Sequence, residues 1–215
     1  ECIMLFVFEG TDGVGKTTLI NKVADRISNN TTRNVVIMSD PSKELDCTKA
    51  IREEVFKNRY TVEDAAVLFK AARIVLEKKI IETKLTCGPG AIILLDRYWP
   101  STAIYQYGGV QCDYRKEIIE LMTESLGVDE YFLITDRPKN ILSKIENRAE
   151  VKNHYDIDEE EDIRYMQKQY RLLFKVMKLM DLGTFSEFHL ANSDESDIVE
   201  RIFEVEENAN DSIYK

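Results

Sequence analysis

Gly10-Thr11-Asp12-Gly13-Val14-Gly15-Lys16-Thr17 has the spacing G-x-x-x-x-G-K-[ST]. It follows an apolar run and opens a helical stretch, the context in which this loop works. Glycines let backbone N–H groups turn inward around phosphate oxygens, and the helix adds the positive end of its dipole. Lys16 is placed to reach the β- and γ-phosphates, and the Thr17 hydroxyl to ligate Mg²⁺. Together with Thr18, these residues form a candidate site for a nucleoside triphosphate. Asp96 ends the run AIILLD, where a carboxylate can share the metal with Thr17. A lone Asp after a strand could equally cap a turn, and it is the loop that points to the metal.

Other pairs have chemical spacing too. Phe69 and Arg73 lie four apart in a helical pattern and so share a face. An aromatic ring beside a forked donor can stack on a base and bond its edge, although Phe69 taken alone also suits a core. Arg97, next to Asp96, can fork onto a phosphate or form a salt bridge. Lys144 and Arg148 repeat the four-residue spacing; they can converge on developing phosphate charge or belong to a solvated helix.

The elements that must position these residues alternate from end to end. Apolar runs at 3–8, 34–38, 91–95, 131–134 and 185–190 read as strands, and helical patterns at 17–28, 47–57 and 62–85 lie between the first of them. Thr61 and Asp64 have capping-box spacing before the longest helix. Nearly continuous apolar strands separated by helices imply an α/β fold: a parallel sheet with helices on both faces and a site at the strands' carboxyl ends. The acidic clusters at 156–162 and from Asp194 onward read as solvated helix starts and a fraying tail.

The chain has 215 residues, 44% of them hydrophobic and 32% charged, with a formal charge of −10. This fits one soluble domain spanning 1–215 and argues against a nucleic-acid partner. No apolar run reaches a membrane span, and ECIMLFVFEG reads as a strand and not a signal peptide. Cys2, Cys47, Cys87 and Cys112 are dispersed, as free thiols in a reducing, cytoplasmic compartment would be. An N-K-x-D base-reading motif is absent, which counts against a guanine-type switch protein. Small-molecule kinases need a second pocket and a mobile basic lid.

FVFEGTDGVGKTT, Leu68-Phe69-Lys70-Ala71-Ala72-Arg73, DRYWPSTAIYQ and the helix around Tyr170 together resemble the thymidylate kinase family over almost the whole chain. The resemblance implies a P-loop NTPase fold with a five-stranded parallel sheet, a small lid at about 144–158, ATP as donor, TMP as acceptor, Mg²⁺ dependence and a homodimer. It implies that Phe69 stacks on the base, that Arg73 meets a pyrimidine oxygen, and that Ser101, Thr102 and Gln106 contact the pyrimidine. Tyr105 corresponds to the residue that crowds the ribose 2′ position, and Asp12 to a carboxylate that meets the sugar 3′-hydroxyl, although a loop Asp could instead only fix the turn. Arg97 would grip the acceptor phosphate or the transferring group. Gly13 stands where one branch of the family has an arginine, which moves the catalytic burden to Arg148, and Tyr155 joins the substrate contacts.

The chain also departs from the pattern. Ser39-Asp40-Pro41-Ser42 replaces a segment that usually starts with an arginine, and Asn153-His154 replaces an Asp-Arg pair. Tyr98-Trp99 followed by Ser101-Thr102 is similar to a mitochondrial-type UMP–CMP kinase. The lead expectation is ATP + dTMP to ADP + dTDP. Another pyrimidine nucleotide, natural or modified, or a non-catalytic nucleotide-binding regulator are the alternatives.

Overall fold

A computed structural model describes residues 3–88, 90–110, 113–147 and 157–213. Five strands, β1 (Met4–Glu9), β2 (Val35–Ser39), β3 (Ile92–Asp96), β4 (Glu130–Thr135) and β5 (Phe185–His189), form one parallel sheet in the order β2-β3-β1-β4-β5. The three central strands are buried along their whole length, whereas the edge strands β2 and β5 are partly exposed. That is the burial a sheet covered on both faces requires. The ends fall within a residue or so of the expected ones, and frayed strand ends account for the difference.

Side-chain alternation splits the core in two. On one face Met4, Phe6, Phe8, Ile92 and Leu94 pack with α1 (Lys16–Asn30), α6 (Pro138–Glu146) and α8 (Glu195–Ile213). On the other, Leu5, Val7, Ile93 and Leu95 meet α3 (Val62–Thr86), α4 (Trp99–Tyr105), α5 (Arg115–Glu124) and α7 (Glu160–Leu179). A third, small cluster joins Val55 of α2 (Asp46–Lys57) to Ala65 and Phe69 of α3. The Thr61 cap forms as its spacing predicts: Asp64 N–H donates to the Thr61 hydroxyl at 3.1 Å.

The expectation of a fraying acidic tail is corrected. From Glu195 the chain is helical, and Ile198, Val199 and Ile202 are buried in the core. Arg201 donates to the fully buried Glu130 carboxylate (2.9 Å), and Arg33 pairs with Glu206. An apolar face at helical spacing, hidden within an acidic composition, docks this helix.

The parallel register brings the site together. Phe8 lies opposite Asp96, and Ser39 lies opposite Asp96 on the other side. The carboxyl ends of β1, β3 and β2 therefore open on one crevice.

Candidate active site

The phosphate loop leaves β1 at Glu9 and closes on α1. A Cβ at Gly10 would stand 2.3 Å from the Ile134 carbonyl oxygen, so only glycine lets the loop pass β4 this closely. Lys16 is buried and donates to the carbonyls of Gly10 (2.9 Å) and Thr11 (3.0 Å). Burial, with the repulsion of Arg97, pushes its pKa down to about 8 against the pull of Asp96, Asp12 and Glu9. Thr17 donates its hydroxyl to Asp96 Oδ2 at 2.7 Å. The other carboxylate oxygen, Asp96 Oδ1, is buried with no hydrogen-bond partner. A carboxylate oxygen without a proton donor, beside a threonine hydroxyl, suits a hard divalent cation that draws its remaining ligands from water and phosphate. Among the described residues no three His, Cys, Asp or Glu side chains gather to hold a metal unaided.

Arg97 follows Asp96 with φ 71, a left-handed conformation uncommon outside glycine. Two bonds hold the turn: Arg97 N–H donates to the Phe8 carbonyl (3.0 Å), and Tyr98 N–H to Glu9 Oε1 (2.8 Å). The guanidinium is thereby aimed at the phosphate loop. It donates to Asp12 Oδ1 at 2.6 Å and to the Ser101 hydroxyl at 2.8 Å, with the Tyr105 ring centroid 5.0 Å away. Ser101 gives its own proton to Glu9 Oε2 (2.7 Å), which leaves its oxygen to accept from Arg97. Burial raises the Glu9 carboxyl, opposed by Arg97 and by the bonds from Ser101 and Tyr98. Burial also works against the charge on Arg97, yet Asp12, Tyr105, Tyr170 and Glu9 hold its pKa well above the usual value.

Beside this guanidinium lies a cleft. Asp12, Phe69, Arg73, Arg97, Ser101, Thr102, Tyr105 and Gln106, all singled out in the sequence, line it. Phe69 lines the cleft and also packs in the Val55 cluster. Arg73 is buried, donating Nε to Asp40 Oδ2 and Nη2 to Thr102 Oγ1, each at 2.6 Å. Burial raises the Asp40 carboxyl against the pull of Arg73.

Lys144 lies in the last turn of α6. It donates to the Val14 carbonyl of the phosphate loop (3.1 Å) and to Asp136 (3.0 Å). Burial disfavours the Asp136 charge, but bonds from Lys144, Asn140 and the Arg137 N–H hold its pKa below the ordinary range. Arg148, Asn153, His154 and Tyr155 lie outside the described residues, as does most of the expected lid. Thr18 is exposed on the first turn of α1.

Sequence reasoning missed Glu9, Asp40, Asp136 and Phe56. Glu9 carried the one available signal, an ionisable residue ending a wholly apolar strand. At the position of the missing arginine, Ser39 donates its hydroxyl to the Pro41 carbonyl (3.2 Å). Arg52 stacks 4.6 Å from the centroid of Phe56, which lines the cleft.

A glycine-lysine loop between a parallel strand and a helix, with a carboxylate on the adjacent strand, defines a P-loop nucleotide-binding protein of the phosphoryl-transfer class. Residues 8–184 match the family model for thymidylate kinase. The chain belongs to the thymidylate kinase family. It is similar to a thymidylate kinase of Buchnera aphidicola subsp. Baizongia pistaciae, 33% identical over 154 residues, which are 67% of this chain and 70% of that protein. It is similar to one from Chlorobium luteolum, 30% identical over 143 residues, 65% of either chain. A thymidylate kinase of Ureaplasma parvum is 28% identical over 180 residues, 80% of this chain and 77% of the relative.

Proposed function

We propose that this chain is an ATP-dependent dTMP kinase, with residues 1–215 acting as one catalytic domain. The observation that carries the reading is Arg97, which bonds Asp12 of the phosphate loop and Ser101 of the cleft at once. One cation therefore touches both places where phosphate must meet phosphate. The relatives' shared name, thymidylate kinase, supplies the direction and acceptor of transfer.

In this reading the loop amides and Lys16 hold the β- and γ-phosphates of ATP. Phe69 stacks on the thymine, Arg73 meets its edge, and Tyr105 crowds the sugar at C2′. Arg97 leaves Asp12 to grip the acceptor phosphate, freeing that carboxylate for the sugar 3′-hydroxyl. Mg²⁺, held by Thr17 and Asp96, would neutralise charge between the β- and γ-phosphates. Catalysis is positioning and charge stabilisation without a covalent intermediate.

We further propose a homodimer through α3, supported by exposed Val67, Ile74, Ile81 and Leu85. A cytoplasmic setting agrees with the free thiols of Cys47 and Cys87; no described helix is long and apolar enough to cross a membrane.

The test is ADP release with TMP, dUMP, dCMP, CMP, UMP and GMP as acceptors. Turnover with TMP well above the rest is expected. Absence of ADP with every acceptor would overturn the proposal.

A further inference from the structure

Glu9 ends β1 as a wholly buried carboxylate, and the phosphoryl transfer described above gives it no part. A carboxylate in such a place is costly unless it is paired, and both oxygens of this one are engaged. Oε1 accepts the Tyr98 N–H at 2.8 Å, and Oε2 accepts the Ser101 hydroxyl proton at 2.7 Å. Holding the turn at Tyr98 would need only a neutral acceptor. The charge finds its use one bond further on. Ser101, having given its proton to Glu9, accepts from Arg97 Nη1 at 2.8 Å. The buried Tyr170 hydroxyl, 3.1 Å from Ser101 Oγ, is then the donor in that contact. An ionised carboxylate can only accept, so Glu9 fixes the sense of every bond at Ser101.

The two arms of the Arg97 guanidinium are held differently. Nη2 rests on Asp12 Oδ1 at 2.6 Å and lies 3.4 Å from the Tyr105 hydroxyl, whereas Nη1 rests on Ser101. In the dTMP kinase reading, on which this inference rests, Arg97 leaves Asp12 for the acceptor phosphate. Nη2 is then the arm that changes partner, and Nη1 the arm that stays. We infer that Glu9 is the positioning residue for Arg97. It holds the backbone through the Tyr98 N–H and the head group through Ser101, so the guanidinium keeps its aim while Asp12 is exchanged for phosphate. The left-handed backbone of Arg97, at φ 71, persists only where its surroundings over-determine it, and Glu9 supplies a bond at the next residue. The aim matters, because a displacement of about 1 Å at a reacting centre can cost on the order of 100-fold in rate.

Glu9→Gln keeps the shape and, through its amide oxygen, the bond from Tyr98, but it turns an NH₂ group toward Ser101. That group competes with Arg97 for the Ser101 oxygen, and the charge is gone. The experiment compares steady-state kinetics with ATP and dTMP, and Tm, for the parent, Glu9→Gln, Ser101→Ala and the double variant. Glu9→Gln should lower kcat by roughly 10-fold or more, with the ATP KM unmoved and the dTMP KM raised by less than kcat falls. Ser101→Ala cuts the same connection and should lower kcat likewise. The double variant should be no slower than the slower single one, because residues that act in one chain are not additive. A residue that only stabilised the fold would lower Tm and leave kcat per folded molecule unchanged. A folded Glu9→Gln with the parent's kcat, or losses that multiply in the double variant, overturns the role of Glu9 and leaves the kinase reading standing. If Glu9→Gln does not fold, Ser101→Ala decides: a kcat like the parent's, or a loss confined to the dTMP KM, overturns the positioning role, and a lowered kcat supports it. A parent that phosphorylates no pyrimidine nucleotide overturns both.

Discussion

Lys16 is a residue whose ordinary behaviour the fold changes. Its ammonium is buried among carbonyls and pushed down to a pKa of about 8. Below that pH it carries the charge that phosphate oxygens need; as pH rises through about 8 the neutral amine offers none. kcat/KM for ATP, which reports free-enzyme ionisation, should therefore fall between pH 7 and 9.5 with a midpoint near 8. A profile flat to pH 9.5 would contradict it. Phe69 poses a different question, since its ring serves the cleft and the α2–α3 cluster together. Phe69→Leu keeps most of the buried volume and removes the flat face. It should raise the acceptor KM by about 10-fold, from the ~1–3 kcal/mol that stacking supplies, with the ATP KM unmoved. Phe69→Ala should in addition lower Tm, because a buried aromatic ring leaves a cavity. Equal KM values for dTMP in the parent and Phe69→Leu would return the residue to a purely packing role.

Among the elements, the phosphate loop and α6 are closely joined. Gly13 has φ 76, and a Cβ there would meet Ile145 Cγ1 at 2.5 Å and the Ile141 carbonyl oxygen at 3.0 Å. Gly13→Ala should cost at least the ~1–2 kcal/mol of left-handed backbone. For a chain of this size that is about 2–8 °C in Tm by calorimetry, with the ATP KM rising as α6 is pushed from Val14. An unchanged Tm would mean that loop and helix are not in contact. This level also separates what the sequence discloses from what it hides. The loop is legible because strand, glycines and helix are contiguous, and Phe69 with Arg73 because helical spacing alone places them on one face. Glu9 and Asp40 are illegible for the opposite reason. Glu9 acquires its role from Tyr98 and Ser101, and Asp40 from Arg73, partners that only strand pairing and the docking of α3 bring near. The strands could be read because nothing else accounts for wholly apolar runs. α8 could not, because acidic side chains outnumber the three isoleucine and valine positions that bury it.

For the molecule as a whole, α3 presents an outer stripe that no described residue covers. Val67, Ile74 and Ile81 recur every seven residues and Leu85 follows four later, a seam of the kind helices bury against one another. Light scattering should give twice the chain mass for the parent and one chain mass for Ile74→Glu. Because Ile74 is 59% exposed, the variant should keep its fold. A parent that stays monomeric at tens of micromolar would refute the dimer. The strand order also sets a timetable. β1 registers Met4 against Ile92 and Phe6 against Glu130, so both its neighbours come from much later in the chain. During synthesis from the N-terminus, β1 leaves the ribosome well before either partner exists, with Phe6 and Phe8 still uncovered. Closing so long a loop is slow and entropically costly, and in the interval this strand is the segment with most to gain from a chaperone. The phosphate loop is thus made early and completed late: Thr17 cannot meet Asp96 until β3 has emerged and paired, and nucleotide can hasten folding only from that moment on.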